Sequence, residues 1–167
     1  MRAFIALLLL TLLPDAALAA CRQALALGLD VSGSVDSREY RLQLDGLATA
    51  MLSGYALLEQ RPDCWIRTLD ISGDGEANTG PRPQTLPDPP AGVTVNALVI
   101  GVYGAEIGNL RQAEIKQLRA YFESNLIRGD GAFTESALGF DAYAEAMERK
   151  LLRELKAMLL GQLAPQP

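Results

Sequence analysis

The sequence predicts an α/β fold: a mainly parallel sheet of about four strands with flanking helices. Two features point there. The run "ALALGLD", residues 24–30, is apolar on both of its alternating faces, as in a strand buried on both sides of a parallel sheet. Beyond it, strand-like runs alternate with segments whose apolar residues recur every three or four positions, the order that gives a parallel sheet with helical crossovers. At 167 residues, one domain is expected.

The elements follow in order. After the first strand, Asp36 suits a helix N-cap, and Glu39 three residues later completes a capping box. Leu44, Leu47, Met51, Tyr55 and Leu58 then mark one helix face as far as about Gln60, where Arg61-Pro62-Asp63 ends it. "WIRTLDIS" (65–72) is the second strand. The five prolines between Pro81 and Pro90 make helix untenable there, so a long loop is expected. "VTVNALVIG" (93–101) is the third strand. Leu110, Ala113, Leu118, Tyr121 and Phe122 lie on a second helix, with Tyr121 and Phe122 in its core face, and "GAFTES" (131–136) is a short fourth strand. A last helix begins near Asp141 with Tyr143, Met147, Leu151 and Leu155 on one face. Its basic residues Arg149, Lys150, Arg153 and Lys156 suit the helix dipole and are expected on a solvated face. Trp65 is expected in the core or partly buried at the start of its strand.

Residues 1–19 read as a signal peptide, followed by a domain over 20–160 and a disordered tail over 161–167. Arg2 supplies the positive start, "AFIALLLLTLL" the apolar segment and Ala17-Leu18-Ala19 a small-x-small cleavage site. The apolar segment is too short to span a membrane, so the mature chain is expected to be periplasmic or secreted. "LAAC" (18–21) is also lipobox-like, which would make Cys21 a lipidated first residue. The alternative pairs Cys21 with Cys64, the only other cysteine, in a disulfide. Register supports the pairing: Cys21 lies nine residues before Asp30 and Cys64 ten before Asp74, each at the start of a strand.

The net charge of -5 argues against a nucleic-acid or anionic-membrane partner. With no histidine in the chain, Ser-His-Asp and Cys-His catalysis and the usual zinc sites are excluded. Ligands of such sheets bind outside the carboxyl ends of the strands, and "DVSGS" (30–34) and "SGDG" (72–75) both fall there. Asp30, Ser32, Ser34 and Asp74 could supply oxygens to a hard cation such as Mg²⁺. The same residues could equally serve as turn and cap groups.

"DVSGS" after a buried strand, with "TLDISGDG" ending another, resembles the metal-ion-dependent adhesion site of von Willebrand factor A domains. The wider wording, including "VTVNALVIG" and the closing "GAFTES", is similar to uncharacterised secreted bacterial proteins of that type. The resemblance implies a Rossmann-like sheet with Asp30, Ser32 and Ser34 as first-loop ligands of Mg²⁺ or Mn²⁺. Asp74 would be the acidic residue of the later loop. It also exposes a departure. A full domain of this type carries two more strands, and a loop with a threonine ligand, between the first helix and the strand at Trp65. Here "MLSGYALLEQRPDCWIR" runs straight from helix to strand. Neither Thr68, inside the next strand, nor Thr79, beyond the Asp74 loop, replaces that threonine.

The expected function is therefore a non-catalytic binding or adhesion module with a partial metal site, engaging an acidic group of a protein partner. The first alternative is a structural remnant that ignores metal. Loss of the strand pair would also leave an open sheet edge able to self-associate. An EF-hand reading of "DISGDG" fails because Pro81 stands where a bidentate glutamate is required. A phosphotransferase with Asp30 as nucleophile is the weakest alternative, since Ser32 stands where a second aspartate would act as acid. Arg128-Gly129-Asp130 spells an integrin-type tripeptide, but it sits in a glycine-rich turn where a structural role is expected.

Overall fold

The computed structural model describes residues 21–29, 46–76, 81–101 and 108–161. Four strands form one all-parallel sheet in the order β1 (Gln23–Leu29), β2 (Ile66–Gly73), β3 (Val93–Ile100), β4 (Thr134–Ala137). Helices α1 (Gly46–Glu59) and α2 (Gly108–Asn125) lie between strands, and α3 (Tyr143–Gly161) follows β4. This is the α/β architecture that the alternation of patterns predicts. Asp36 and Glu39, assigned to a capping box, lie outside the described residues. No helix among those described is long and apolar enough to cross a membrane.

Strand order matches chain order, so each right-handed crossover is thrown to the same side of the sheet. On that side Leu69 and Ile71 of β2 and the alternate residues Val95, Ala97 and Val99 of β3 meet Met51 and Tyr55 of α1 and Phe122 of α2. Phe122 is fully buried and Tyr121 packs beside it, as expected for helix core. Helix α1 comes very close to the sheet because glycines face it. A β-carbon on Gly28 would lie 2.8 Å from Ile71 Cδ1, and one on Gly54 would overlap the Leu69 side chain.

The β2–β3 connection covers the same side without a helix among the described residues. A single 3-10 turn, Pro83–Thr85, stands in the proline-rich loop. Pro83 is fully buried and Leu86 packs on the core. Arg128 ties the loop down, donating from Nη2 to the Pro83 carbonyl at 2.7 Å, while its backbone bridges Val95. The tripeptide Arg128-Gly129-Asp130 is thus a structural turn, with Gly129 at φ 91° and Gly131 at φ 71°. That turn delays β4, which begins at Thr134 rather than Gly131.

The disulfide between Cys21 and Cys64 is formed, with Cα atoms 4.5 Å apart. It extends the β1–β2 register, in which Gln23 pairs with Ile66, by two residues toward the strand starts. A sulfur held there cannot also carry a thioether-linked lipid. Trp65, by contrast, is 57% exposed. It sits just before β2, at the amino end of the strands, its backbone N–H bonded to the Cys21 carbonyl at 3.1 Å, and its ring lies largely in solvent rather than in the core.

The bridge spans 43 residues of sequence, long enough for loop-closure entropy to matter. Replacing both cysteines with serine is expected to lower unfolding free energy by about 2–4 kcal/mol, read from urea denaturation under non-reducing conditions.

Candidate functional site

Two polar centres lie on the sheet. The first is at the carboxyl ends of the strands, where the sequence places the site. Asp74 and Glu76 follow β2, Gly101 follows β3, and Glu114, Ile115 and Leu118 project from α2; together they line a cleft of about 340 Å³. Leu29, the last residue of β1, pairs with Ser72, two residues before Asp74. Asp30, Ser32 and Ser34 themselves lie outside the described residues. Thr68 is buried within β2, well away from this end, and Thr79 is outside the described residues.

The cleft is acidic, with three carboxylates on its walls, but those three do not converge. Among the described residues the one group of three metal-capable side chains within 4.8 Å of each other is Cys21, Asp63 and Cys64. Its sulfurs are spent in the disulfide, so that group offers no thiolates to an ion.

The second centre lies under α3, on the sheet face opposite α1 and α2. Its apolar part is small: Leu98, Ala137 and Ala146. The rest is ionic. Lys150, 0% exposed, donates from Nζ to Asp70 Oδ1 on β2 and, at 2.8 Å, to Glu154 Oε1 one turn further along α3. Asn96 on β3 donates from Nδ2 to the same Glu154 oxygen at 2.7 Å and accepts the Phe133 N–H at 3.1 Å. The Arg153 guanidinium lies 3.8 Å from the Phe133 ring centroid, a cation–π arrangement that covers the cluster.

Of the basic residues expected on a solvated face, Arg149 and Arg153 are exposed, but Lys150 points straight into the sheet. Of the apolar stripe expected at Tyr143, Met147, Leu151 and Leu155, Tyr143 and Met147 pack on the sheet-side cluster and Leu151 is partly buried. The buried line, however, runs through Ala146, Lys150 and Glu154, and Leu155 is 47% exposed. Helical spacing marks which residues share a face; it does not say which face meets a polar strand. The available clue was Asp70, a carboxylate inside the apolar strand "TLDIS", which needs a buried cation.

Two buried carboxylates share one ammonium, so the cluster carries a surplus negative charge when both are ionised. Burial pushes the Asp70 carboxyl up to about 6; Lys150 opposes the shift and Glu154 adds to it. Asp70 Oδ2 and Glu154 Oε2 are both buried with no hydrogen-bond donor, and a proton on Asp70 supplies the missing one.

The comparisons with known proteins fit a chain of this fold without adding a chemistry. Residues 20–55 and 48–159 match a family described as "Protein of unknown function (DUF1194)". The chain belongs to that family. The two matched stretches overlap at residues 48–55, within α1. No curated protein and no solved structure matches the DUF1194 chain.

Two outcomes follow from the buried cluster. Lys150→Met leaves Asp70 and Glu154 without their cation and is expected to destabilise by about 3–5 kcal/mol in urea unfolding. Adding Asp70→Asn and Glu154→Gln to it should recover much of the loss. Because the folded state holds the Asp70 proton more tightly than the unfolded chain, stability should fall as pH rises from 3.8 to about 6 and level off above that. Unfolding curves across that window should lose this fall in Asp70→Asn.

Proposed function

We propose that this DUF1194 protein is an exported, non-catalytic binding module of von Willebrand A-like type. Its metal site would lie at the carboxyl ends of β1 and β2. The observation that carries the reading is the position of Asp74 in an acidic cleft at that end, beside the end of the strand that leads into "DVSGS". The donor set is all oxygen and mostly anionic, which suits Mg²⁺ or Mn²⁺. Asp30 and Asp74 would supply charge, and Ser32 and Ser34 would supply hydroxyl ligands. A bound cation would leave a coordination position for an acidic side chain of a protein partner. The disulfide supports export to an oxidising compartment.

Lack of the threonine loop predicts weaker metal affinity than a complete site would have. A second reading, a structural chain that does not bind metal, is favoured by one observation: Asp74, Glu76 and Glu114 line the cleft without converging.

Thermal unfolding of the oxidised chain in EDTA, then in millimolar Mg²⁺ or Mn²⁺, separates the two. Metal at a hundred times its dissociation constant should add about 2.7 kcal/mol, and Asp30→Ala and Asp74→Ala should each abolish the gain. A cooperative transition that ignores metal would establish the structural reading instead.

A further inference from the structure

Among the described residues β1 pairs only with β2, and none of them covers its other side. Edge strands of soluble proteins are ordinarily blunted by lysine, proline, a bulge or shortness. β1 has none of these: it runs seven residues, Gln-Ala-Leu-Ala-Leu-Gly-Leu, without a charge or a proline. Ala24, Ala26 and Gly28 turn toward α1, which puts Leu25, Leu27 and Leu29 on the other face. These leucines are 39%, 56% and 55% exposed, because α3 packs over β3 and β4 and stops short of β1.

We infer that β1 pairs antiparallel with β1 of a second copy, giving a two-fold dimer with one continuous eight-stranded sheet. The strand itself argues for this occupant. In the register centred on Leu27, Leu25 faces Leu29 of the second copy, Leu27 faces Leu27, and Leu29 faces Leu25. A two-fold axis perpendicular to the sheet keeps all six leucines on one face, so the three cross-strand pairs between Leu25 and Leu29 on that face are leucine on leucine. No charge meets a like charge at the seam. The strand is also held ready: full pairing with β2 and the disulfide at its start keep it extended before the partner arrives, so little ordering entropy is lost. Two-fold pairing closes at two copies. A seam one strand long buries less than the roughly 1,200 Å² of a standard interface, so the dimer is a weak one that dissociates on dilution. The inference does not depend on the metal site.

The test is sedimentation equilibrium of the oxidised full chain over a dilution series, with Leu27→Lys and Leu138→Lys beside it. Leu27→Lys sets two ammonium groups opposite each other on the axis, whereas Leu138, 54% exposed just past β4, is remote from it. A monomer–dimer equilibrium is expected in the parent and in Leu138→Lys, and monomer alone in Leu27→Lys. Amide exchange of the parent supplies a second readout that needs no variant: the alternate amides of β1 that β2 does not already bond should gain protection with concentration. A monomer at every concentration, a dimer unaffected by Leu27→Lys, association beyond two copies, or β1 amides that ignore concentration would each overturn it.

Discussion

The ammonium of Lys150 determines how α3 sits. Parallel sheets need cover on both faces, and among the described residues the second face carries one helix over a small apolar cluster. Leu98, Ala137 and Ala146 form its buried part, with Ala142, Tyr143 and Met147 packed beside them, and Asp70 and Asn96 add polar groups to that face. Lys150 adds directional constraints by reaching Asp70 on β2 and Glu154 on its own helix, while Asn96 on β3 holds Glu154 from the other side. Such an ion cluster gives little net stability, since desolvating three charges offsets most of their attraction. What it does give is register: a one-residue rotation of α3 would carry Lys150 and Glu154 away together and leave Asp70 buried without a cation.

The two faces of the sheet thus follow different physics. Over the crossover side, stability comes from apolar area and from close approach at Gly28 and Gly54, and even the proline-rich loop contributes Pro83 and Leu86. Over the α3 side, specificity comes from polar groups, and one of them, Asp70, is held near the edge of ionisation by its burial. The disulfide acts on a third weakness, the terminal strand β1. Among the described residues it has a neighbour on one side only, and its start is fastened covalently to the start of β2.

These features bear on function through geometry. An acidic cleft at the carboxyl ends of β2 and β3 rests on strands whose positions are fixed from both sides, so Asp74 is presented from a rigid base. Among the described residues nothing pairs with the other side of β1, and its leucine face is exposed on the same sheet that carries this cleft.

Much of this was legible in the residues. Apolar runs located β1, β2 and β3 within a residue or two, but the same pattern also predicted β1 buried on both faces, whereas its leucine face is exposed. The two cysteines shared a register that parallel pairing could only bring together. The carboxyl-end position of Asp74 followed from strand order. Other features needed the tertiary structure. Whether Lys150 or Leu155 faces the sheet depends on what the strands present to the helix, and Asp70 and Asn96 present charge and amide. That is a long-range fact, separated from Lys150 by 80 residues in the case of Asp70. Trp65 went outward because the sheet ends beside it, and β4 began late because two glycines had first to turn the chain. Local periodicity specifies which elements form; the pairing of buried charges and the place where a sheet stops are decided only when distant segments meet.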